Sequence, residues 1–178
     1  MNRPTLLLLA AVAALLLSLP TSRADNKTTF GVAGLARYHQ SHSMVEEWPF
    51  DKGDMSFGAS LRVHDGMGYL EAGCEYAPDP TASKGLFDEV ITPFARLAIK
   101  DQGLVVAIGV RDNYITYADD ARDSEWADLL YELHLGLDFE FGPVSVGGGA
   151  YYSYDDWNDL KDFDVDDLEY GVHVGVVF

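Results

Sequence analysis

Charged side chains of both signs recur in this chain among runs of glycine, alanine and serine. Arg37, Arg62, Arg96 and Arg111 stand in such runs, as do Glu71, Glu75, Glu132, Asp138 and Glu169, together with His134 and His173. On an extended strand every second residue shares a face, so each of these charges points to the side of the small residues. If that side encloses a space, the charges must pair, because an unpaired buried charge costs several kcal/mol. Two other groups have the types for chemistry. The run His39-Gln40-Ser41-His42-Ser43 offers a base and hydroxyls, but His and Ser this close in a loop do not by themselves define a catalytic site. Asp162, Asp164 and Asp166 open the spacing of a calcium loop, in which hard carboxylate oxygens take the ion. The pattern then departs, with Asp167 in place of the glycine at position 6 and His173 in place of the glutamate at position 12. A solvated acidic loop fits better, a loop calcium ion stays an option, and no other cofactor is expected.

The elements that would position these charges show period 2 rather than 3.6. The clearest is Leu129 to Phe141, where Leu129, Tyr131, Leu133, Leu135, Leu137, Phe139 and Phe141 share one face. Glu132, His134, Gly136, Asp138 and Glu140 share the other. Met55 to His64 repeats the pattern, and Phe30–Tyr38, Gly68–Tyr76, Val90–Lys100, Leu104–Tyr117, Val144–Tyr154 and Leu168–Phe178 complete a set of eight strands. Most are about ten residues long, the length a tilted strand needs to cross a hydrocarbon core. Connections alternate between tight turns (Asp65-Gly66-Met67, Asp101-Gln102-Gly103, Gly142-Pro143) and long polar loops (39–54, 77–89, 118–128 and 155–167). The tight turns therefore gather at one end of the assembly and the loops at the other.

The first residues, MNRPTLLLLAAVAALLLSLPTSRA, read as a signal peptide: Arg3 before an apolar stretch Leu6–Leu19, with small residues at Ser22 and Ala24. Residues 1–24 are thus expected to be removed, leaving one domain over 25–178. Without Arg3 and Arg23, ten basic residues face all 29 acidic ones. That balance excludes nucleic acid, whose phosphates require basic surfaces. One cysteine, Cys74, cannot form an internal disulfide.

Which face points inward decides the class. The polar faces are rich in glycine, alanine and serine, which cover a surface poorly but fit a crowded lumen. The apolar faces carry large aliphatics, with Tyr38, Tyr76, Tyr114, Tyr131, Tyr152, Tyr154 and Tyr170 towards the loops and Phe139, Phe141 and Phe178 towards the turns. Aromatic residues at both rims of an apolar band suit a barrel immersed in lipid. The expectation is an all-β fold, an eight-stranded antiparallel up-and-down transmembrane β-barrel. On these residues, and on the terminal Tyr170-x-Val172-x-Val174-x-Val176-x-Phe178, the chain resembles the small outer-membrane β-barrels of Gram-negative bacteria, the group of the OmpA transmembrane domain and OmpX-like proteins. The resemblance implies an outer-membrane location among phospholipid and lipopolysaccharide, and recognition of Tyr170, Val174, Val176 and Phe178 by the barrel-assembly machinery. It names no extracellular partner, and motifs of the enzymatic barrels are not recognised.

Eight strands enclose an interior just wide enough for side chains to fill. Counted from the turns, Arg62, Glu71, Arg96 and Asp138 fall at a lower height and Glu75, Arg111, Glu132 and Glu169 at an upper one, with Arg37 also inward. Paired charge layers plugging the barrel are expected, with a narrow channel as the alternative and an enzyme as a lesser one. Trp48, Trp126 and Trp157, one in each of three loops, are expected to anchor the rim or to form a sticky tip.

Overall fold

The computed structural model of the chain describes residues 28–42, 45, 48–81, 86–119 and 122–178, with Asp162 by its backbone alone. The expected leader lies outside them. Ten strands follow in order: β1 (Thr29–Tyr38), β2 (Met55–Asp65), β3 (Gly68–Pro78), β4 (Phe87–Asp101), β5 (Leu104–Arg111), β6 (Tyr114–Tyr117), β7 (Glu125–Trp126), β8 (Leu130–Phe141), β9 (Val144–Tyr154) and β10 (Glu169–Val177). All pairings are antiparallel. The sheet runs β3-β2-β1-β10-β9-β8-β5-β4, and the β3–β4 pairing closes it into an eight-stranded barrel with no free edge. The first and last strands meet where β1 pairs with β10, Gly31 opposite Val177 through Tyr38 opposite Tyr170.

Two additional short strands arise from one interruption. The expected fifth strand, Leu104–Tyr117, is divided at Asp112-Asn113 into β5 and β6. Its neighbour on β4 is Pro93, whose carbonyl accepts from Asp112 N at 3.2 Å but which has no N–H to return the bond. The ladder fails there and resumes from Tyr114, opposite Ile91. Beyond it β4, β6 and the two residues of β7 continue as a small sheet on the loop side. The tight turns take positive φ at glycine where the chain reverses, 62° at Gly66 and 64° at Gly142.

The apolar faces point outward. Val172, Val174 and Val176 are about half exposed, as are Leu135, Leu137 and Phe139 on β8 and Leu104, Val106 and Ile108 on β5. Arg37, Arg62, Arg96, Arg111, Glu71, Glu75, Glu132, Asp138 and Glu169 are buried within. A soluble barrel has the reverse arrangement, so this one is built to span a membrane. Small residues let the lumen fill: a Cβ added at Gly149 would sit 2.6 Å from both His134 Nε2 and the Gly136 Cα. Near the tight turns the interior also holds an apolar cluster of Tyr69, Ala98, Val105 and Ala107.

Two expectations about aromatic residues are corrected. Tyr152 and Tyr154 are not rim anchors but are 2% and 1% exposed. The loop after β9 folds over them, placing Phe163 4.8 Å from Tyr152 and Trp157 5.3 Å from Tyr154, ring to ring. Trp48 is neither anchor nor tip: the loop between β1 and β2 turns it into the barrel mouth, where it is buried. Trp126 lies tilted against Tyr114, ring centres 5.0 Å apart, and Trp157 is the half-exposed one of the three.

If the outward face meets lipid, Leu135→Lys should cost about 2–4 kcal/mol of stability in lipid vesicles, the penalty of a lysine near the bilayer midplane. Urea unfolding of the vesicle-inserted protein measures it, and an unchanged midpoint would sink the assignment of that face.

Candidate functional site: the charged lumen and its cover

The strand register brings side chains from all eight strands of the barrel to one axis. At the level nearer the loops, Arg37 on β1 lies 2.9 Å from Glu75 on β3, 2.5 Å from Glu132 on β8 and 3.2 Å from Glu169 on β10. Arg111 on β5 reaches Glu169 at 2.8 Å and Glu132 at 3.8 Å. Nearer the turns, Arg62 on β2 meets Glu71 at 2.9 Å and Asp138 at 3.1 Å. Arg96 on β4 joins the two levels, its Nε 3.5 Å from Glu71 and 3.7 Å from Glu132. The expected lower and upper groups thus form one connected network rather than two separate layers. Lys100 at the turn end links Asp138, at 3.5 Å, to the surface carboxylate of Glu140.

Rings support the guanidinium planes. Arg37 lies 4.0 Å from the centre of Tyr151 on β9, and Arg96 4.1 Å from that of Phe94. Ser60 donates to Glu71 at 2.6 Å, and His173 Nε2 lies 3.1 Å from Arg62 Nη1 and 3.4 Å from Asp138. His134 stacks flat on Tyr151 at 4.3 Å. These contacts hold each charge in one geometry. A carboxylate or guanidinium here trades water for several opposite charges, which is the condition under which burial is tolerated.

Above the network the interior turns apolar. Ala77, Val90, Ile115 and Leu130 line the mouth, and Val45, Trp48 and Phe50 of the first loop (residues 39–54) fill it. Trp48 donates its indole N–H to the Gln40 carbonyl at 2.9 Å, and Arg111 lies 5.3 Å below its ring. The charges are therefore covered by a cork that the chain supplies from its own loop. Sequence parity locates the charges but gives no sign of the cork, because Trp48 and Phe50 lie outside any alternating run.

The histidines of the first loop are also placed differently from a flexible-loop expectation. His39 is fully buried, its Nδ1 bonded to Glu169 Oε1 and its Nε2 2.9 Å from Ser56 Oγ. Hydroxyl, imidazole and carboxylate thus line up as in a hydrolase triad. The likeness ends with the hydroxyl hydrogen, which Ser56 donates to Glu75 at 2.8 Å, and with the enclosure of Ser56 at 1% exposure. A nucleophile needs both its proton transferred to the base and a route for substrate. His42 is buried against Trp48 and Tyr152, with Asp167 3.8 Å away.

Two of the three candidate calcium aspartates, Asp164 and Asp166, remain outside this site, and the side chain of the third, Asp162, lies outside the described residues. Asp164 and Asp166 are exposed, and Asp164 caps a 3-10 turn (Val165–Asp167) by accepting from Asp166 N at 3.0 Å. No cluster with metal-ligating geometry occurs among the described residues. Tyr170, Val174 and Phe178 lie on the outward face together with Val176, between 48% and 71% exposed.

No protein-family model matches the chain, and no curated protein matches its sequence. Among solved structures, the crystal structure of Neisserial surface protein A matches with a TM-score of 0.53 at 14% identity, over 86% of this chain and 98% of that one. The likeness is one of fold, to the group of small eight-stranded outer-membrane barrels that the sequence resembles.

Two outcomes follow from this geometry. Arg62→Met leaves Glu71 and Asp138 without their shortest ion pairs and should cost about 3–5 kcal/mol, the usual penalty for breaking a buried pair. A loss below about 1 kcal/mol in urea unfolding would show the charges to be hydrated instead. Asp112 behaves in the opposite way. It sits on the loop side of Val110, the partner of the rim residue Tyr131. Burial, reinforced by the nearby Asp128 carboxylate, pushes its carboxyl up to about 6. An acid raised by folding holds its proton more tightly in the fold than in the unfolded chain. Stability therefore falls as pH rises from about 4 to about 6 and stays lower above. Asp112→Asn should be more stable than the parent by about 1–2 kcal/mol at neutral pH, with the advantage gone below about pH 4. A constant difference across that window would contradict the account.

Proposed function

We propose that the protein is an integral outer-membrane barrel, exported by its N-terminal signal peptide, with a structural or surface-interaction role carried by its acidic loops. The observation that carries this reading is the lumen: a network of paired charges from seven of the eight barrel strands, with the Tyr151 ring from the eighth, under an apolar cork made of Trp48 and Phe50. A transport function requires a continuous aqueous path, and the ion pairs that cross the lumen speak against one. The tight turns and both chain ends face the periplasm in this reading, and the loops face outward.

The loops carry Asp119, Asp123, Glu125, Asp128, Asp155, Asp156, Asp159, Asp164 and Asp166. Such a surface meets lipopolysaccharide through bridging cations or a partner of opposite charge. Calcium at the last loop belongs to the same proposal. The outward-facing Tyr170, Val174, Val176 and Phe178 form the strand that the assembly machinery would read, and that strand also closes the barrel against β1. Export, assembly, partner and loop cation rest on sequence pattern and fold likeness.

The second reading, a narrow channel, is favoured by one feature: Glu75, Glu132 and Glu169 outnumber Arg37 and Arg111 at the upper level. Planar-bilayer recording on the refolded protein separates the two. The plugged barrel predicts silence, and a cation-selective conductance step abolished by Glu75→Gln or Glu132→Gln would replace it with the channel.

A further inference from the structure

The outward face of the barrel is not uniform. On the wall of β5, β8 and β10, large aliphatic side chains such as Val106, Leu135 and Val174 stand about half exposed. On the wall of β1, β2 and β3, a groove of about 380 Å³ runs between Val32, Leu61, Phe30 and Phe178. Its floor is Val63, Leu70 and Ala72, which the register sets side by side: Val63 lies opposite Leu70, and Leu61 opposite Ala72. Leu70 shares the outward face of β3 with Ala72 and Cys74, yet it is only 8% exposed. Leu61, Phe30 and Phe178 rise around it at 64%, 52% and 71%. Beyond Ala72, away from the turns, the wall stays low. Gly34 pairs with Ala59, Ala59 with Cys74 and Cys74 with Pro93. A Cβ added at Gly34 would meet the Val174 carbonyl alone, at 3.9 Å.

The groove is apolar along its length. Arg62 borders it, but its guanidinium is turned into the lumen towards Glu71 and Asp138. Nothing here recognises a polar ligand. In hydrocarbon there is no water to fill a recess, and an unfilled one forfeits the dispersion contacts of its lining. A rigid surface, such as the wall of a second barrel, would be held off by the ridges of Leu61, Phe30 and Phe178. A flexible chain passes between them. Lipid tails are as apolar as leucine, so what retains one here is fit rather than exclusion of water.

We propose that this groove is a binding site for one acyl chain of a phospholipid, whose head group lies at the turn-side rim beside Phe30 and Phe178. Those two residues are neighbours, Phe178 N donating to Phe30 O at 2.8 Å, and aromatic rings at a rim favour the head-group level. The chain enters past them, lies over Val63 and Leu70 against Leu61, and continues across Ala72 onto the low wall at Ala59 and Cys74. Ala72 sets the depth of the track, because any larger side chain there would fill it. The volume falls within the range of about 300–1,000 Å³ usual for ligand sites. The inference rests on the outer-membrane reading, in which the turns face the periplasm and the lipid therefore belongs to the inner leaflet.

Photo-crosslinking reads the site in the membrane. The protein is inserted into phosphatidylethanolamine–phosphatidylglycerol vesicles that carry a trace of phosphatidylethanolamine with a diazirine midway along one chain. Adducts are mapped by mass spectrometry, with those on the reactive Cys74 thiol left out of the count. In the parent they should concentrate on Leu61, Val63, Leu70 and Ala72 over Leu135 and Leu137 of β8, four strands away around the barrel. Even labelling of the two walls would overturn the proposal, and this comparison needs no variant to fold. Ala72→Trp should abolish the excess and Leu137→Trp should leave it, each variant first shown to be folded by the heat-dependent gel shift. An excess that survives in folded Ala72→Trp, or protein–protein cross-links through this wall in place of lipid adducts, would equally overturn it. An inserted barrel with even labelling refutes the groove alone, whereas a protein that stays soluble without detergent and does not insert refutes the membrane reading and the groove with it.

Discussion

Everything in this barrel follows from the need to fill a narrow enclosed space with groups that satisfy one another. Eight strands enclose an interior about as wide as the side chains that enter it, so the inward side chains meet others across it. Charges brought into that space cost many times what they cost at a surface unless opposite charges and hydrogen-bond donors take the place of water. Arg37 shows the solution in miniature. One guanidinium lies within ion-pair distance of Glu75, Glu132 and Glu169 on three different strands, with its plane over Tyr151 on a fourth. A slip of one residue in any of those pairings would turn a charge into lipid and leave another unpaired inside. The network therefore fixes register as well as filling the lumen.

The ends of the lumen are closed by different means. Towards the turns, Tyr69, Ala98, Val105 and Ala107 pack together beside the lowest ion pairs. Towards the loops the barrel continues past the charges as an apolar cup, and the first loop bends inward to fill it with Trp48 and Phe50. Low dielectric on both sides strengthens the pairs between them. The sheet of β4, β6 and β7 that rises from the Pro93 break supplies part of the cup through Val90 and Ile115. An interruption that looks like a defect in the ladder thus marks the level at which the barrel changes from charge to cork.

The alternation along Leu129–Phe141 makes the strand, its face and its inward charges legible together, because period 2 is a local property of the backbone. The tight turns are legible for the same reason, Gly66 and Gly142 supplying the positive φ that a reversal needs. Contacts across the lumen are another matter. Arg96 is expected with Glu71 from strand counting, but its reach to Glu132 depends on barrel tilt, which no local pattern encodes. Trp48, Phe50 and His39 are illegible because their environment is made by strands distant in the chain. His39 reads as one of two loop histidines, yet it touches Glu169, 130 residues away. Tyr152 and Tyr154 have the sequence signature of a rim and are covered by Phe163 and Trp157, a tertiary override of a sound local rule.

The central claim, that the lumen is a set of mutually dependent buried ion pairs, is tested most directly by a double-mutant cycle between Arg37 on β1 and Glu132 on β8. Stability is measured for the parent, Arg37→Met, Glu132→Gln and the double variant in the same lipid vesicles. The account predicts that the double variant loses clearly less than the two singles together, with a coupling of about 1–3 kcal/mol for groups in contact. Additive losses would mean that the two charges are solvated separately, and that the barrel holds water where this account places ion pairs.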